Sequence, residues 1–318
     1  MMQMQPAPQP PKSGQTAELY SQLEDYLALG RLENDRESSQ TSGKKRKVIK
    51  RKSSSEREDE GGSVSQGSFA VKVNGKTVRG DAQEIVGRMV EAEMGASFEE
   101  EALKAQAVAA YTYVKYHNQH GTIPSVVAKN TVSQKVEDAV EQVIGQAIYY
   151  EGEYINSTYC ASNAGQSMDS EHVWGTALPY LVSVDSPGDT NLKAYGATKT
   201  FSEDEIAQAI EEHLGTDPYD YSDPEDWFSD PEYINGQYVD SIEVCGERIS
   251  GREVREELLD LQINSAAFEI EYDGEFTFTT YGYGHGVGMS QQGADYYAQQ
   301  GWTYEEILNH YYPNTQLH

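Results

Sequence analysis

The sequence is poor in cysteine, in long apolar runs and, over most of its length, in positive charge. Two cysteines among 318 residues, Cys160 and Cys245, exclude a disulfide-stapled scaffold and leave open one bridge or two unpaired thiols. No apolar run approaches the roughly 18 to 20 residues of a membrane helix. The N-terminus also lacks the charged region followed by an apolar one that marks a secretory signal. The sequence therefore predicts neither a transmembrane helix nor a signal peptide.

Basic residues are concentrated near the N-terminus. The chain has 24 Lys and Arg residues and 52 Asp and Glu residues. Residues 1–67 contain 11 of the basic and 10 of the acidic residues. Residues 68–318 therefore contain 13 basic and 42 acidic residues, a net charge near −29. Nucleic-acid phosphates require a positive patch, so this composition predicts no nucleic-acid partner. Anionic lipids and glycopolymers are repelled as well. A polymer bound by residues 68–318 is therefore expected to be held through neutral sugar groups.

Residues 1–67 differ in composition from the rest. They are rich in Ser, Gly and charged residues, and such a segment buries too little apolar surface to offset chain entropy, which predicts a disordered linker arm. Its basic run Lys44–Lys52 (KKRKVIKRK) fits a nucleic-acid or targeting patch, the flank of a membrane anchor, or a solvated linker. The flank of a membrane anchor and the solvated linker are the favoured interpretations. Residues 68–318 hold enough apolar residues for one sizeable body.

The pattern of residues 68–318 mixes helices with hairpins. Asn74-Gly75 between alternating residues predicts a hairpin over Phe69–Val78, and apolar residues at helical spacing predict helices over Asp81–Met94 and Phe98–His117. The other predicted elements are strands over Ala147–Tyr150, Tyr154–Tyr159 and Leu181–Val184, helices over Glu203–Leu214 and Ser250–Leu261, and a hairpin of Phe268–Tyr272 with Phe276–Tyr281. This mixture favours an α+β class, a single mixed body of helices and antiparallel sheet. The acidic, proline-punctuated stretch at about 216–235 predicts an extended surface loop.

The C-terminal segment Tyr281–Gln316 contains the densest signal. Glycines at every second position, from Gly282 to Gly288, separate Tyr283, His285 and Val287. Glycine has no Cβ and tolerates positive φ, so this spacing predicts a backbone that passes very close to another group. A glycine-rich loop that carries one titratable side chain is typical of a site.

This segment, YGYGHGVGMSQQGADYYAQQGWTYEEILNHYYPNTQ, resembles the C-terminal signature of the stage II sporulation protein D (SpoIID/LytB) family of peptidoglycan lytic transglycosylases and amidase enhancers. Three further segments resemble the family in the same order: Glu93–Tyr113 (EM followed by EALKAQAVAAYTY), Tyr159–Asp189, and Ser250–Phe268. The resemblance covers residues 68–318. It implies a SpoIID-like catalytic domain over those residues and an extracytoplasmic location, membrane-associated or in the cell wall.

By this resemblance, Glu93 is the catalytic glutamate. Cleavage of a glycosidic bond needs a carboxylic acid that protonates the leaving oxygen, and apolar neighbours such as Met94 and Phe98 favour the protonated form. In a lytic transglycosylase the same group then acts as base on the C6 hydroxyl of MurNAc, which closes a 1,6-anhydro ring. The alternative is that Glu93 belongs to a solvated acidic cluster with its neighbours.

Several other residues are candidates for substrate binding or support. Lys104 contacts sugar hydroxyls, tunes Glu93 electrostatically or is a surface lysine with a buried stem. Gln106 contacts substrate or joins a buried polar network. Tyr159, Tyr283 and Trp174 offer stacking faces for sugar rings or pack in the core. These candidates all come from the segments that resemble the family.

In the glycine segment, His285 is a proton relay, a sugar contact, a metal ligand or a structural residue. Ser290 and Gln291 bind sugar or begin a helix. Some relatives hold zinc with one His and two Cys, whereas the central segment here offers Cys160 and His172 alone. We therefore predict no metal and no cofactor.

The resemblance leads to two principal functions. The first is a lytic transglycosylase that cleaves MurNAc–GlcNAc glycan strands, with or without stem peptides, in sporulation or wall remodelling. The second is a non-catalytic wall-binding enhancer of an N-acetylmuramoyl-L-alanine amidase, working with that amidase or other engulfment proteins. Tyr111 and Asn264, which replace two family arginines, favour the second. A Cys–His peptidase using Cys160 and His285 is a third interpretation, although Cys160 is not predicted at a helix start.

Overall fold

The computed structural model describes residues 67–235 and 237–318. The arm predicted over residues 1–67, with its basic run, lies outside this part apart from Gly67. The helices are α1 Ala82–Glu93, α2 Glu100–Gln119, α3 Gln134–Val143, α4 Ser170–Trp174, α5 Glu203–Leu214, α6 Pro218–Tyr221, α7 Gly251–Glu253, α8 Gln291–Gln299 and α9 Tyr304–Tyr311. The strands are β1 Ser68–Val73, β2 Lys76–Asp81, β3 Ile148–Tyr150, β4 Glu153–Tyr154, β5 Tyr159–Cys160, β6 Ala197–Phe201, β7 Phe228–Ile234, β8 Tyr238–Val244, β9 Glu247–Ile249, β10 Phe268–Tyr272, β11 Phe276–Thr280, β12 Met289–Ser290 and β13 Gln316–Leu317.

Helix α2 is the centre of the larger hydrophobic core. Its residues 102–110 are all buried, and five of these nine are alanines, which let neighbouring helices approach closely. Helices α1, α3, α8 and α9 all pack against α2. Asp81 starts α1 as its N-cap, where its Oδ1 accepts hydrogen bonds from the backbone N–H of Gln83 and Glu84. A helix that is buried on every side and mostly apolar is expected at the centre of a core, and Lys104 and Gln106 are the polar exceptions within this stretch.

A second core lies between two three-stranded antiparallel sheets, β10-β11-β6 and β7-β8-β9, together with α5. Trp227 is fully buried there, and its ring stacks on Phe276 with centroids 5.5 Å apart. The smaller sheets are the hairpin β1-β2, the antiparallel β13-β3-β4 and the parallel pair β12-β5. The predicted α+β class is confirmed, as are both hairpins and the helices α1, α2 and α5.

The prediction of an extended acidic loop at 216–235 is wrong. Helix α6, a 3-10 turn at Pro224–Asp226 and strand β7 occupy this stretch. Trp227 is buried in the second core and Phe228 packs against it, whereas Tyr219, Tyr221 and Tyr233 are about half exposed and the acidic residues face outward. Pro231 is tolerated because β7 is an edge strand whose register shifts between Ser229 and Glu232.

Three other predicted elements differ from the structure. The strand predicted over Tyr154–Tyr159 is interrupted between Tyr154 and Tyr159, where Ser157 donates its hydroxyl hydrogen to the Ala109 carbonyl on α2. Leu181–Val184 makes single backbone contacts with the 167–170 segment and is no strand. The helix predicted over Ser250–Leu261 is one α-turn, α7, followed by a π-helical turn Val254–Leu258.

No helix within residues 67–235 and 237–318 has the length and apolar character needed to cross a bilayer. Cys160 and Cys245 are both free thiols. Cys160 is buried in the region of the larger core, whereas Cys245 packs against the second one. Of the two alternatives left open by the sequence, a disulfide bridge or two unpaired thiols, the structure has two unpaired thiols.

Candidate functional site

The glycine segment Gly282–Gly288 lies directly on the segment Thr158–Asn163. Ser162 and Tyr283 exchange backbone hydrogen bonds of 3.1 and 2.9 Å, and Met289 and Ser290 then pair in parallel with Tyr159 and Cys160. All four glycines of this segment have positive φ. The two segments therefore form one unit, with the glycine backbone pressed against its neighbour.

This close approach explains why glycine recurs. A Cβ on Gly282 would lie 2.7 Å from the Asn163 carbonyl oxygen, and a Cβ on Gly288 would overlap the carbonyl oxygen of Thr158. The sequence-based prediction that this backbone passes very close to another group is confirmed.

His285 is held inside the loop by both ring nitrogens. Its Nδ1 accepts a hydrogen bond from the Val287 N–H at 3.0 Å, so Nε2 carries the proton and donates to the Tyr159 carbonyl at 3.1 Å. Burial lowers the pKa of His285 to about 4, which keeps the ring neutral at physiological pH. Trp174 packs against it with ring centroids 5.5 Å apart. This geometry gives His285 a supporting role that fixes the loop to Thr158–Asn163.

The glycine loop positions the start of helix α8 next to the end of helix α1. Gln291, the first residue of α8, donates from Nε2 to Oε2 of Glu93 at 3.3 Å. Glu93 is the last residue of α1 and is half-buried, next to the buried Met94 and the half-buried Phe98. Two residues that the sequence singled out, separated by 198 positions, thus meet in one place.

Asp189 was missed by the sequence analysis and lies behind this contact. Its Oδ1 accepts from the Ser290 hydroxyl at 2.8 Å, and its Oδ2 accepts from the Ser186 hydroxyl at 2.7 Å and the Asn163 N–H at 2.9 Å. Ser290 in turn is the N-cap of α8 and accepts from the Gly293 N–H. Asp189 therefore fixes the helix start that carries Gln291. In the sequence it stands in a turn-like SPGDT stretch, which gave no sign of burial.

Lys104 and Gln106 are both buried on α2. Lys104 pairs with Glu101 at 2.7 Å and Glu100 at 2.9 Å. Burial disfavours its charge, but these two carboxylates outweigh that effect and raise the pKa of Lys104. Neither amide atom of Gln106 has a hydrogen-bond partner in the part of the chain that the structure describes. Lys104 thus belongs to the acidic start of α2.

The aromatic candidates differ in exposure. Tyr159 and Trp174 are 2% and 5% exposed, which corresponds to the core-packing alternative, whereas Tyr283 is half-buried. Tyr111, at a family arginine position, packs on Phe69 with centroids 5.1 Å apart. Its ring therefore contributes to the contact between β1 and α2.

Neighbouring carboxylates hold the surrounding helices together. Glu91 accepts from the backbone N–H and hydroxyl of Ser133, and Asp295 accepts from the Glu99 N–H at 2.6 Å. Glu101 accepts from the Tyr304 N–H at 2.8 Å. These contacts fix α3, α8 and α9 around the end of α1, so the acidic cluster near Glu93 is largely engaged in the fold.

The residues considered for metal binding and for peptidase chemistry have other partners. Cys160 donates to the Asn163 side chain at 3.0 Å, and His172 contacts Asp240 at 3.2 Å. Burial raises the pKa of the Cys160 thiol, and both nitrogens of His285 are occupied, which disfavours a Cys–His nucleophile. Within the described ranges, the side chains close enough to share a metal are His213, Glu253 and Glu257, on α5 and around the π-helical turn.

Replacing Gly288 with alanine tests the close approach. Gly288 and Gly274 have the same φ of +77°, but a Cβ on Gly274 meets nothing within 4 Å. We expect Gly274→Ala to lower the free energy of unfolding by about 1–2 kcal/mol through backbone strain alone. Gly288→Ala is expected to cost at least about 2 kcal/mol more, because overlap is added. Urea unfolding of both variants measures this difference, and equal losses would contradict the close approach.

Asp189 gives the stability a defined pH dependence. Burial raises the pKa of Asp189 to about 6 from an ordinary 3.8, against the opposing hydrogen bonds. The folded protein therefore holds the Asp189 proton more tightly than the unfolded chain does. The resulting gain in the free energy of unfolding is complete below pH 4 and is lost as pH rises through 6. We expect the stability of wild type relative to Asp189→Asn to fall by about 3 kcal/mol over that window.

Denaturant unfolding of both proteins at several pH values measures this relative stability. The buried His285 contributes with the opposite sign, but it is present in both proteins and cancels in the difference. A difference that stays constant with pH would contradict the protonation assigned to Asp189.

The chain is similar to known proteins over most of its length. Residues 76–158 match the SpoIID family model, described as stage II sporulation protein. Stage II sporulation protein D of Bacillus subtilis (strain 168) is 32% identical over 271 residues, which cover 74% of each chain. Stage II sporulation protein D of Bacillus amyloliquefaciens is 32% identical over 263 residues, which cover 74% of this chain and 73% of the relative. The amidase enhancer of Bacillus subtilis (strain 168) is 28% identical over 286 residues, which cover 71% of this chain and 39% of the relative.

The matched range 76–158 contains Glu93, Lys104 and Gln106, and the longer alignments span about three-quarters of the chain. The resemblance drawn from the four sequence segments is thereby confirmed. This protein belongs to the SpoIID family.

Proposed function

We propose that this protein is a peptidoglycan lytic transglycosylase of the SpoIID family that cleaves glycan strands in sporulation or cell-wall remodelling. The observation that carries the proposal is the contact between Glu93 and Gln291, which joins the end of α1 to the residue that follows the glycine loop. Family membership and the names of the relatives, stage II sporulation protein D and amidase enhancer, support the biological setting.

Glu93 serves as general acid and then as general base. In the first step its carboxylic acid protonates the glycosidic oxygen between MurNAc and GlcNAc, which leaves as a hydroxyl. In the second step the resulting carboxylate takes the proton of the MurNAc C6 hydroxyl, whose oxygen attacks C1 and closes the 1,6-anhydro ring. The proton count balances, and no water is consumed. One carboxylate therefore suffices, where ordinary glycoside hydrolysis uses two.

Gln291 orients the Glu93 carboxyl through its amide, and Asp189 orients Gln291 through Ser290. His285 holds the glycine loop, and Tyr283, half-buried beside it, is the proposed sugar contact. Lys104 supports the start of α2 through Glu100 and Glu101. Gln106, whose amide is buried and has no hydrogen-bond partner among residues 67–235 and 237–318, is proposed to support the site or contact substrate.

The acidic character of residues 68–318 agrees with a neutral sugar ligand. Because a net charge near −29 repels carboxylates, we propose that recognition rests on the hydroxyl and N-acetyl groups of the strand and not on the lactyl carboxylate of MurNAc. By the same resemblance we place the protein outside the cytoplasm, at the membrane or in the wall. A domain spanning residues 68–318, preceded by the arm 1–67, remains the proposed organisation.

A non-catalytic amidase enhancer is the second candidate. The 28% identity to an amidase enhancer favours it, and so do Tyr111 and Asn264 at the two arginine positions. In that case the glycine loop and α8 bind glycan, while a partner amidase detaches the stem peptide from MurNAc. The two candidates differ in whether the protein alone breaks the glycan.

Digestion of purified glycan strands by wild type and by Glu93→Gln separates the candidates. We expect the wild type to release anhydro-ended fragments, each lighter by one water than a hydrolysis product, as resolved by mass spectrometry. Loss of the acid–base group is expected to reduce the rate by about 10²–10⁴-fold. Strands with and without stem peptides, run in parallel, reveal which substrate is preferred.

Glu84→Gln is the matched control, since Glu84 is an exposed glutamate on the same helix. It should cleave at the wild-type rate. Strand binding without cleavage by the wild type, unchanged in Glu93→Gln, would overturn the transglycosylase and favour the enhancer. Reducing-end products would instead indicate hydrolysis.

A further inference from the structure

A groove on the far side of α1 from Glu93 has no role in the proposed function. It has a volume of about 390 Å³ and lies between α1 and α3. Its lining residues are Asp81, Gln83, Glu84, Gly87, Val132, Gln134, Glu137, Val140 and Glu141. Glu84 and Glu93 are nine residues apart on α1, about 14 Å along the axis. The groove is therefore separate from the site.

The groove combines acidic walls with an apolar floor. Four carboxylates line it, and none of its lining residues is basic. Arg88, on the same helix, is 3.9 Å from Glu84 and also donates to the Lys129 carbonyl and the Asn130 side chain, while Lys135, on α3, donates to the Phe98 carbonyl. Gly87, Val132 and Val140 form the floor. Such a surface suits a cationic segment that contains a few apolar residues.

The chain itself contains a segment of this chemistry. Lys44–Lys52 carries seven basic residues around the apolar pair Val48-Ile49. We propose that this basic run docks intramolecularly in the groove between α1 and α3, with Val48-Ile49 on the floor and the basic side chains on the carboxylate walls. This inference does not depend on the proposed function.

The point at which the chain enters the described structure supports this occupant. The Gly67 carbonyl accepts from the Ala82 N–H at 3.0 Å, and Ala82 lies between the groove residues Asp81 and Gln83. Fourteen residues, 53–66, separate Lys52 from Gly67. Fourteen residues counted as a random coil give a root-mean-square span of about 20 Å, which puts the groove within reach of the run.

Tethering makes a weak contact sufficient. An effective concentration on the order of 1 mM and an intrinsic Kd of about 0.1 mM would leave the run free roughly one-tenth of the time. Electrostatic attraction between exposed charges is screened by salt, so the docked fraction is expected to fall as ionic strength rises.

Limited trypsin digestion of the full chain tests the proposal, because trypsin cleaves after Lys and Arg. The groove variant Glu84→Gln/Glu137→Gln/Glu141→Gln leaves every trypsin site of the arm unchanged. We expect initial cleavage within Lys44–Lys52 to be about tenfold slower in the wild type than in this variant. Cleavage at Arg36, in the same arm, serves as the internal reference, and mass spectrometry identifies each cut.

Two further variants make the result specific. Gly87→Gln fills the floor without changing charge, since a Cβ on Gly87 meets only Val132 at 3.9 Å, and it should also speed cleavage of the run. Glu211→Gln/Glu212→Gln/Glu271→Gln removes three exposed carboxylates elsewhere and should behave as wild type. Circular dichroism of each variant checks that the fold is intact.

Three outcomes would overturn the inference. Equal cleavage in wild type and groove variant would mean that the run is free or pairs with another segment, such as the acidic residues 56–60. Equal acceleration in the control variant would mean attraction to the acidic surface in general. Protection that disappears on dilution of the protein would mean that a second copy supplies the run.

Discussion

The close approach of the glycine segment to Thr158–Asn163 is the constraint on which the candidate site depends. Side chains on Gly282 or Gly288 would overlap the backbone of that neighbouring segment, so the loop can lie there only as glycine. Once it does, β12 pairs with β5, and Ser290 reaches Asp189. The start of α8 is fixed by these contacts, and Gln291 is thereby brought to Glu93.

Two buried titratable groups hold this arrangement in different ways. His285 is neutral and uses both ring nitrogens within the loop, while Asp189 accepts three hydrogen bonds beneath the start of α8. Buried polar groups are tolerated when their hydrogen bonds are made, and these two are. The site is thus supported by a polar network inside the larger core. Glu93, which is half-buried, lies at the edge of that network.

Much of this organisation is visible in the sequence, and the rest is hidden for physical reasons. Hairpins and helices with strong local signals, such as the hairpin at Asn74-Gly75 and helix α5, form where predicted because short-range chemistry determines them. The glycine spacing correctly indicated a close approach but not its partner. Asp189 was missed because its burial depends on residues distant in the chain. Strand β7 was missed because the acidic residues and prolines of its region concealed the residues that enter the core.

Under the proposed function, the contact between Glu93 and Gln291 predicts where a glycan strand binds, and a crystal structure of Glu93→Gln with a bound glycan fragment tests this. We expect the side chain at position 93 to lie within about 3 Å of the glycosidic oxygen, with the sugar against the glycine loop. A fragment bound at a distance from both α1 and the glycine loop would contradict it.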